Sequence, residues 1–158
     1  ALVVCVGGGG LISGCALAAS VLSPHCRVYG VEPAAGDDVR QSLAAGHIVQ
    51  ITPPKSIADG ALTAAPGDIT FSLMRALVAD VVTVSDEQLV LTMRWFAQRL
   101  KLMVEPTGCL AAAAVLQRVL PMTAGQRIGV IVSGGNVDLA SYGAFLSDPQ
   151  YDGAWVVT

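Results

Sequence analysis

Four consecutive glycines, Gly7 to Gly10, follow the apolar run Leu2–Val6 and lead into Leu11-Ile12-Ser13-Gly14-Cys15-Ala16. Residues without a Cβ let successive backbone N–H groups converge on one point. A helix that starts there adds unpaired N–H groups and the positive end of its dipole. Strand, glycine loop and helix together predict a place to hold a phosphate. A second glycine-rich strand end, Ser133-Gly134-Gly135-Asn136, follows the apolar run Ile128–Val132. Its serine can point a hydroxyl at a ring nitrogen or another polar ligand. A plain turn residue ahead of two glycines is the other reading of Ser133.

Carboxylates supply the remaining chemistry. The turn Glu32-Pro33-Ala34-Ala35-Gly36-Asp37-Asp38 brings acids to the end of the second apolar run. Two carboxylates, Glu32 and Asp38, with the backbone carbonyl of Gly36 would suit a hard cation such as Mg²⁺ or Ca²⁺. Asp37 and Asp38 are equally well placed simply to cap the next helix. Glu105 interrupts the apolar stretch before Pro106-Thr107-Gly108. A carboxylate in such surroundings must be paired or shifted in pKa. Cys5, Cys15, Cys26 and Cys109 form no CxxC pair and sit among apolar or Ala-rich neighbours. They read as buried free thiols of a cytoplasmic protein. His25 and His47, after a proline and a glycine, read as surface turn residues.

The elements that must position these residues follow an α/β alternation. Strands are expected over Leu2–Val6, Arg27–Val31, Asp80–Val84 and Arg127–Val132, each short and rich in Val or Ile. Such runs suit a mostly parallel open sheet with helices on both faces. Helices are expected at about 11–22, 37–45, 70–79, 86–103 and 108–120. The fourth has a capping box, Ser85 with Gln88, and an apolar stripe of Leu89, Met93, Phe96, Leu100 and Met103. That stripe assigns Trp95 and Phe96 to the core. Ala111 to Ala114 permit close packing in the fifth helix. The Pro-rich stretch 50–60 is a long loop, and long loops in compact domains are often functional. In open α/β sheets ligands gather outside the carboxyl ends of the strands, where Gly7–Gly10, the acidic turn from Glu32 to Asp38 and Ser133–Asn136 fall.

At 158 residues, 53% apolar, the chain can bury a core and is not expected to be disordered. A net charge of −3 with nine basic residues gives no footprint for nucleic acid. No run reaches the apolar length of a membrane span. The apolar beginning has no positive flank, so it does not read as a signal peptide. It opens within an apparent core strand, which suggests a piece of a longer protein.

The segments Val6-Gly7-Gly8-Gly9-Gly10-Leu11, Val31-Glu32-Pro33, Ile57-Ala58-Asp59-Gly60, Val104-Glu105-Pro106-Thr107-Gly108 and Ser133-Gly134-Gly135-Asn136-Val137-Asp138 occur together and in this order. The set resembles the fold-type II pyridoxal-phosphate enzymes, in particular serine/threonine dehydratase and serine racemase. Ile57–Ala61 and Glu105–Leu110 further resemble the 3-hydroxyaspartate dehydratase branch. The resemblance covers 1–139, read as the C-terminal part of the cofactor-binding large domain; 140–158 is then a C-terminal tail. It implies that Gly7, Gly8, Gly9 and Gly10 hold the phosphate of pyridoxal 5'-phosphate. It implies that Ser133 meets the pyridine nitrogen, that Glu105 lies near the ring, and that Glu32, Gly36 and Asp38 are metal ligands.

What the resemblance implies for the complete protein is an ammonia-lyase. Its substrate is a small β-hydroxy amino acid such as serine, threonine or 3-hydroxyaspartate, and its products are a 2-keto acid and ammonia. A racemase of the same family is the alternative. So is a non-catalytic domain that binds a phosphate ligand or pairs with another subunit. A nucleotide-binding domain has only the glycine loop and Glu32 in its favour. The family's Schiff-base lysine lies in a Ser-Phe-Lys type motif, and this sequence holds only Lys55 and Lys101, in other contexts. An N-terminal half or complementary chain must supply it, and the complete protein is expected to be a homodimer. The chain by itself is expected to be inactive, poorly soluble or self-associating.

Overall fold

The computed structural model describes residues 1–151. Its strands are β1 (Leu2–Cys5), β2 (Val28–Pro33), β3 (Val78–Val84) and β4 (Gly129–Val130). They form one four-stranded sheet in the order β3-β2-β1-β4, parallel throughout. Its helices are α1 (Gly10–Leu22), α2 (Asp38–Ala45), α3 (Asp68–Leu77), α4 (Asp86–Trp95), α5 (Pro106–Leu116) and α6 (Leu139–Ser147). Among the described residues no helix is long and apolar enough to cross a membrane.

Side chains alternate across a strand, and β1 divides its apolar residues between two cores. Val3 and Cys5 join Leu89, Met93 and Phe96 of α4 and its extension, and Cys109 to Ala114 of α5. Val4 and Val6 join Ile12 and Ala16 of α1, Val39 of α2 and Met74 of α3. Helices therefore cover both faces, as the Val- and Ile-rich strands require. The alanine run of α5 is fully buried and lets that helix lie close against α4 and the sheet.

The capping box forms as expected: Gln88 N–H donates to Ser85 Oγ at 3.3 Å, and Ser85 N–H to Gln88 Oε1 at 2.8 Å. The apolar stripe ends sooner than its spacing implies. After Trp95 the chain widens into one π-helical turn, Phe96–Leu100, and stops at Lys101, whose φ is 58°. This left-handed residue turns the chain off the helical path, so Leu100 and Met103 are about half exposed, at 48% and 46%. Phe96 keeps its place in the core, edge-on to Trp95 with ring centroids 5.5 Å apart. The fifth helix likewise ends early, at Leu116, and Arg118 takes a φ of 55° ahead of Pro121.

At the edge of the sheet β4 is shorter than expected. Only Gly129 and Val130 pair with β1, although Ile131 N–H still reaches Val3 O at 3.0 Å. Helix α6 starts at Leu139, the last residue of the expected large-domain part, and runs on into the segment expected as a tail. Asp138 caps it, accepting from Ala140 and Ser141 N–H at 2.8 and 3.2 Å. Arg94 of α4 holds its far end by donating to the carbonyls of Leu146, Asp148 and Tyr151. Residues 152–158 of that segment lie outside the described residues.

Gly30, in the middle of β2, faces the core formed by Val6, Ile12 and Val81 at close range. A Cβ there would sit 2.7 Å from Val6 Cγ2, 2.9 Å from Val81 Cγ2 and 3.0 Å from Ile12 Cδ1. All three neighbours are β-branched side chains, stiff at χ1. Gly30→Ala in the whole protein is expected to cost about 1–3 kcal/mol by overpacking, read as a lower urea midpoint. An unchanged midpoint would show that the contact relaxes freely.

Candidate functional site

The carboxyl ends of β1, β2 and β4, with the loops 50–60 and 102–105 and the head of α5, meet on one edge of the sheet. Gly7 to Gly10 run from β1 into α1, and Gly9 is the residue at the head of the helix, with φ 90°. A Cβ on Gly9 would be strained by that φ and would lie 2.7 Å from Met74 Cε. The loop is clamped from outside by Thr70, whose hydroxyl donates to Gly8 O at 2.7 Å. No side chain caps α1, so its first N–H groups keep their donor capacity for a ligand. Gly8 and Gly10 are exposed, and a Cβ on Gly10 would meet nothing within 4 Å. The chain's own packing thus demands glycine at Gly9 but not at Gly10.

Ser133 follows β4, the parallel neighbour of β1, and lies beside that loop's origin. Its Oγ accepts from the Cys5 thiol at 3.3 Å. Gly134 and Gly135 let this segment press onto the loop carrying Glu105. Glu105 N–H donates to Gly134 O at 3.2 Å. A Cβ on Gly134 would collide with the Glu105 carboxylate, and one on Gly135 would lie 2.7 Å from Met103 O. Partial burial pushes the Glu105 pKa up, Asp59 adds to the push, and the Asn136 N–H pulls against both. Glu105 can therefore keep a proton to higher pH than an ordinary glutamate.

Glu32 and Asp38 occupy the turn between β2 and α2 and are almost wholly buried, at 1% and 0% exposure. The expected choice between capping and metal binding resolves differently for the three acids. Neither aspartate caps α2; Asp37 accepts instead from Gln41 Nε2 at 2.6 Å. Glu32 does the capping from the preceding strand: its two oxygens accept from Val39 and Arg40 N–H, each at 2.9 Å. Those donations favour the charged form, but burial outweighs them and raises Glu32 from the ordinary 4.5 to about 8. Burial also raises Asp38, to about 6, and Thr63 Oγ1 lies 3.4 Å from each of its oxygens. Gly36 completes the turn under Pro54, whose Cγ would be 2.9 Å from a Cβ there.

The donor chemistry here, two carboxyls and a carbonyl, is that of a hard-cation site needing further ligands. Among the described residues no group of three or more His, Cys, Asp or Glu could hold a metal ion.

Sequence reasoning missed the threonines and Asp86. Thr107 Oγ1 accepts from Gly60 N–H at 3.0 Å, and Asp86 accepts from Ser56 Oγ and Ile57 N–H at 2.5 and 3.3 Å. These bonds tie the Pro-rich loop down over the edge. Thr70 and Gly8 are 62 residues apart, Thr107 and Gly60 47, so no local pattern reveals them. Of the two lysines, Lys55 is exposed in the Pro-rich loop, and Lys101 is exposed and donates to Gln98 O at 2.7 Å.

A phosphate-ready helix end, a hydroxyl and a protonable carboxyl on one edge of a parallel sheet define a domain suited to a phosphorylated ring cofactor. The chain belongs to the family described as "Pyridoxal-phosphate dependent enzyme", whose profile matches residues 1–134, and to its fold-type II branch of serine/threonine dehydratases and serine racemases. It is 53% identical over 147 residues to a serine racemase of Schizosaccharomyces pombe, covering 93% of this chain and 45% of the relative. It is also 53% identical over 146 residues to an L-threo-3-hydroxyaspartate ammonia-lyase of a Pseudomonas species, covering 92% and 46%. The structure of maize serine racemase superimposes with a TM-score of 0.82 at 42% identity, covering 89% of this chain and 44% of that one. The chain thus spans less than half the length of these relatives.

Glu32 binds its proton more tightly folded than unfolded. Between the ordinary 4.5 and about 8 the folded state therefore holds more protons, and stability falls as pH rises. Asp38 adds to this up to about 6. In chelating buffer the Glu32 contribution is expected to approach ~1.4 kcal/mol per pH unit inside its window. Urea denaturation across that range should show the slope in the whole protein and a flatter one in Glu32→Gln. Equal slopes would place the extra bound proton on another group.

Proposed function

We propose that this chain is the cofactor-holding part of an ammonia-lyase acting on a small β-hydroxy amino acid: serine, threonine or 3-hydroxyaspartate. The observation that carries the reading is the uncapped α1 N-terminus behind Gly7–Gly10, with Ser133 and Glu105 on the same edge. Bound pyridoxal phosphate supplies an electron sink for the α-carbon of an amino acid. The backbone N–H groups of Gly7 to Gly10 and the α1 dipole bind and neutralise its phosphate. Ser133 donates a hydrogen bond to the ring nitrogen and leaves it unprotonated. That restraint weakens the sink and favours loss of a β-hydroxyl over transamination. Glu105, its pKa raised by burial, stands beside the ring and can keep a proton to higher pH than an ordinary glutamate. The lysine that carries the cofactor comes from outside this sequence.

Racemisation is the second reading. It is supported by the equal identity to a serine racemase and to a hydroxyaspartate ammonia-lyase. Both reactions begin with removal of the α-proton and need the same anchoring of phosphate and ring nitrogen. A divalent cation at Glu32, the Gly36 carbonyl and Asp38, completed by water, would relieve the cost of burying two carboxyls in one turn. Mg²⁺ or Ca²⁺ is expected to raise the thermal midpoint of the whole protein. Asp38→Asn should remove that response, and a wild-type midpoint indifferent to both ions would end the cation reading.

Gly10 separates cofactor binding from folding. A Cβ there meets nothing within 4 Å in the chain, yet Cα–Cβ bonds in a helix tilt toward its N-terminus, where the phosphate is proposed to sit. Gly10→Val in the whole protein is expected to keep its unfolding free energy, read by urea denaturation, within about 0.5 kcal/mol. Its affinity for pyridoxal phosphate should fall by about tenfold or more as the cradle fills. Undiminished affinity would place the phosphate elsewhere. Assays of the whole protein with L-serine, L-threonine and L-threo-3-hydroxyaspartate then separate keto-acid formation from D-amino-acid formation. The chain alone, mixed with cofactor, is expected to show no turnover above free cofactor.

A further inference from the structure

Cys5 is the last residue of β1, 8% exposed, and its thiol is directed at Ser133 Oγ at 3.3 Å. A hydroxyl has one hydrogen and two acceptor lone pairs. A donor seated on one lone pair leaves the hydroxyl hydrogen free for an acceptor elsewhere. We propose that Cys5 is a positioning residue: its S–H donates to Ser133 Oγ and so commits the Ser133 hydrogen to an acceptor ligand, the ring nitrogen of the cofactor. The inference rests on the reading of Ser133 given above and deepens it.

Three features of the pair favour this direction of donation. Burial raises the Cys5 pKa against the opposing pull of Ser133, and Glu105 and Cys15 raise it further, so the thiol keeps its proton. The Cys5 backbone is fixed by β-pairing with Val31, and its side chain is packed in the α4–α5 core, so the sulfur has little freedom to turn away. Ser133, by contrast, lies past the end of the short strand β4 and is exposed. A lone serine hydroxyl there would rotate freely and could as well accept from a protonated ring nitrogen as donate to an unprotonated one. The thiol removes that choice. Hydrogen bonds in series also polarise one another, which strengthens the second donation.

The test uses the full-length protein, with and without cofactor, and compares Cys5→Ala, Cys5→Ser and Ser133→Ala. The infrared S–H stretch of Cys5 is identified as the band lost in Cys5→Ala. In Ser133→Ala it is expected to move to the frequency of an unbonded thiol, in the absence of cofactor as well as in its presence. With L-serine and L-threo-3-hydroxyaspartate, Cys5→Ala should raise abortive transamination per productive turnover by about threefold to tenfold, the scale of one neutral hydrogen bond. Cys5→Ser, which restores a donor, should bring it back. An S–H band unmoved in Ser133→Ala overturns the inference and leaves the cofactor reading of Ser133 standing. A cofactor absorption spectrum and affinity indifferent to Ser133→Ala overturn that reading, whatever the S–H band does.

Discussion

Backbone pressed on backbone at the carboxyl edge of the sheet is the constraint on which the rest of this structure depends. A Cβ on Gly7 would lie 3.0 Å from Gly60 O, and one on Gly108 2.6 Å from Gly134 O. Gly60 in turn rests on Thr107, and Gly135 on Met103. These contacts link β1, the Pro-rich loop, the head of α5 and the segment after β4 into one layer. None could form with ordinary side chains in the way. The result is a rigid floor built from main chain, from which only a few side chains, Ser133 and Glu105 among them, project. Main-chain donors lose little conformational entropy on binding because they are already ordered, which is what preorganised anchoring of a phosphate requires.

The buried Glu32 performs the same organising task for the acidic turn. A helix beginning directly after a buried strand has N–H groups that water reaches poorly, and they need an acceptor. Glu32 provides both of its oxygens from the strand itself, so α2 is docked to β2 through its own N-terminus. Burying a carboxyl for this purpose is costly, as its raised pKa records. The turn is thereby held together most firmly when the acid is neutral or its charge is compensated. Asp38 shares the burial, and its carboxyl meets its own backbone N–H and the Thr63 hydroxyl.

Periodicity made the sheet and most helices legible, because short Val-rich runs and capped apolar stripes report on burial. The division of β1 between two cores follows from side-chain alternation, whereas the strand order β3-β2-β1-β4 came from the structure alone. What the sequence hid is of two kinds. Local backbone departures, such as the left-handed Lys101 and Arg118, carry no glycine or proline to mark them, so both preceding helices read too long. Helix α6 lacks a strong apolar stripe, and only its Asp138 cap could have announced it. Long-range partners are the second kind. The motifs located Gly7–Gly10, Glu105 and Ser133, but their neighbours Thr70, Thr107 and Cys5 are chosen by the fold rather than by spacing. Even among the four loop glycines the sequence could not distinguish Gly9, required by φ and packing, from Gly10, which the chain itself leaves free.

That distinction bears on how the work of the whole protein is divided. On the proposed reading, this chain grips the cofactor at its phosphate and its ring nitrogen, through main-chain amides and one hydroxyl. Both groups lie away from the bonds that change in the substrate. A relative that racemises serine and one that eliminates from hydroxyaspartate resemble the chain to the same degree, 53%. The equality is what such a division requires, since an anchor serves either fate of the α-carbon equally well. Discrimination between the fates has to come from groups that reach the α- and β-carbons and control a proton on each face. The anchor contributes to selectivity in one respect only, by holding the ring nitrogen unprotonated and so limiting how far the electron sink is drawn. On the proposed reading Ser133 sets that limit, and the Cys5 thiol bonded to it would make the limit independent of how the exposed hydroxyl otherwise turns.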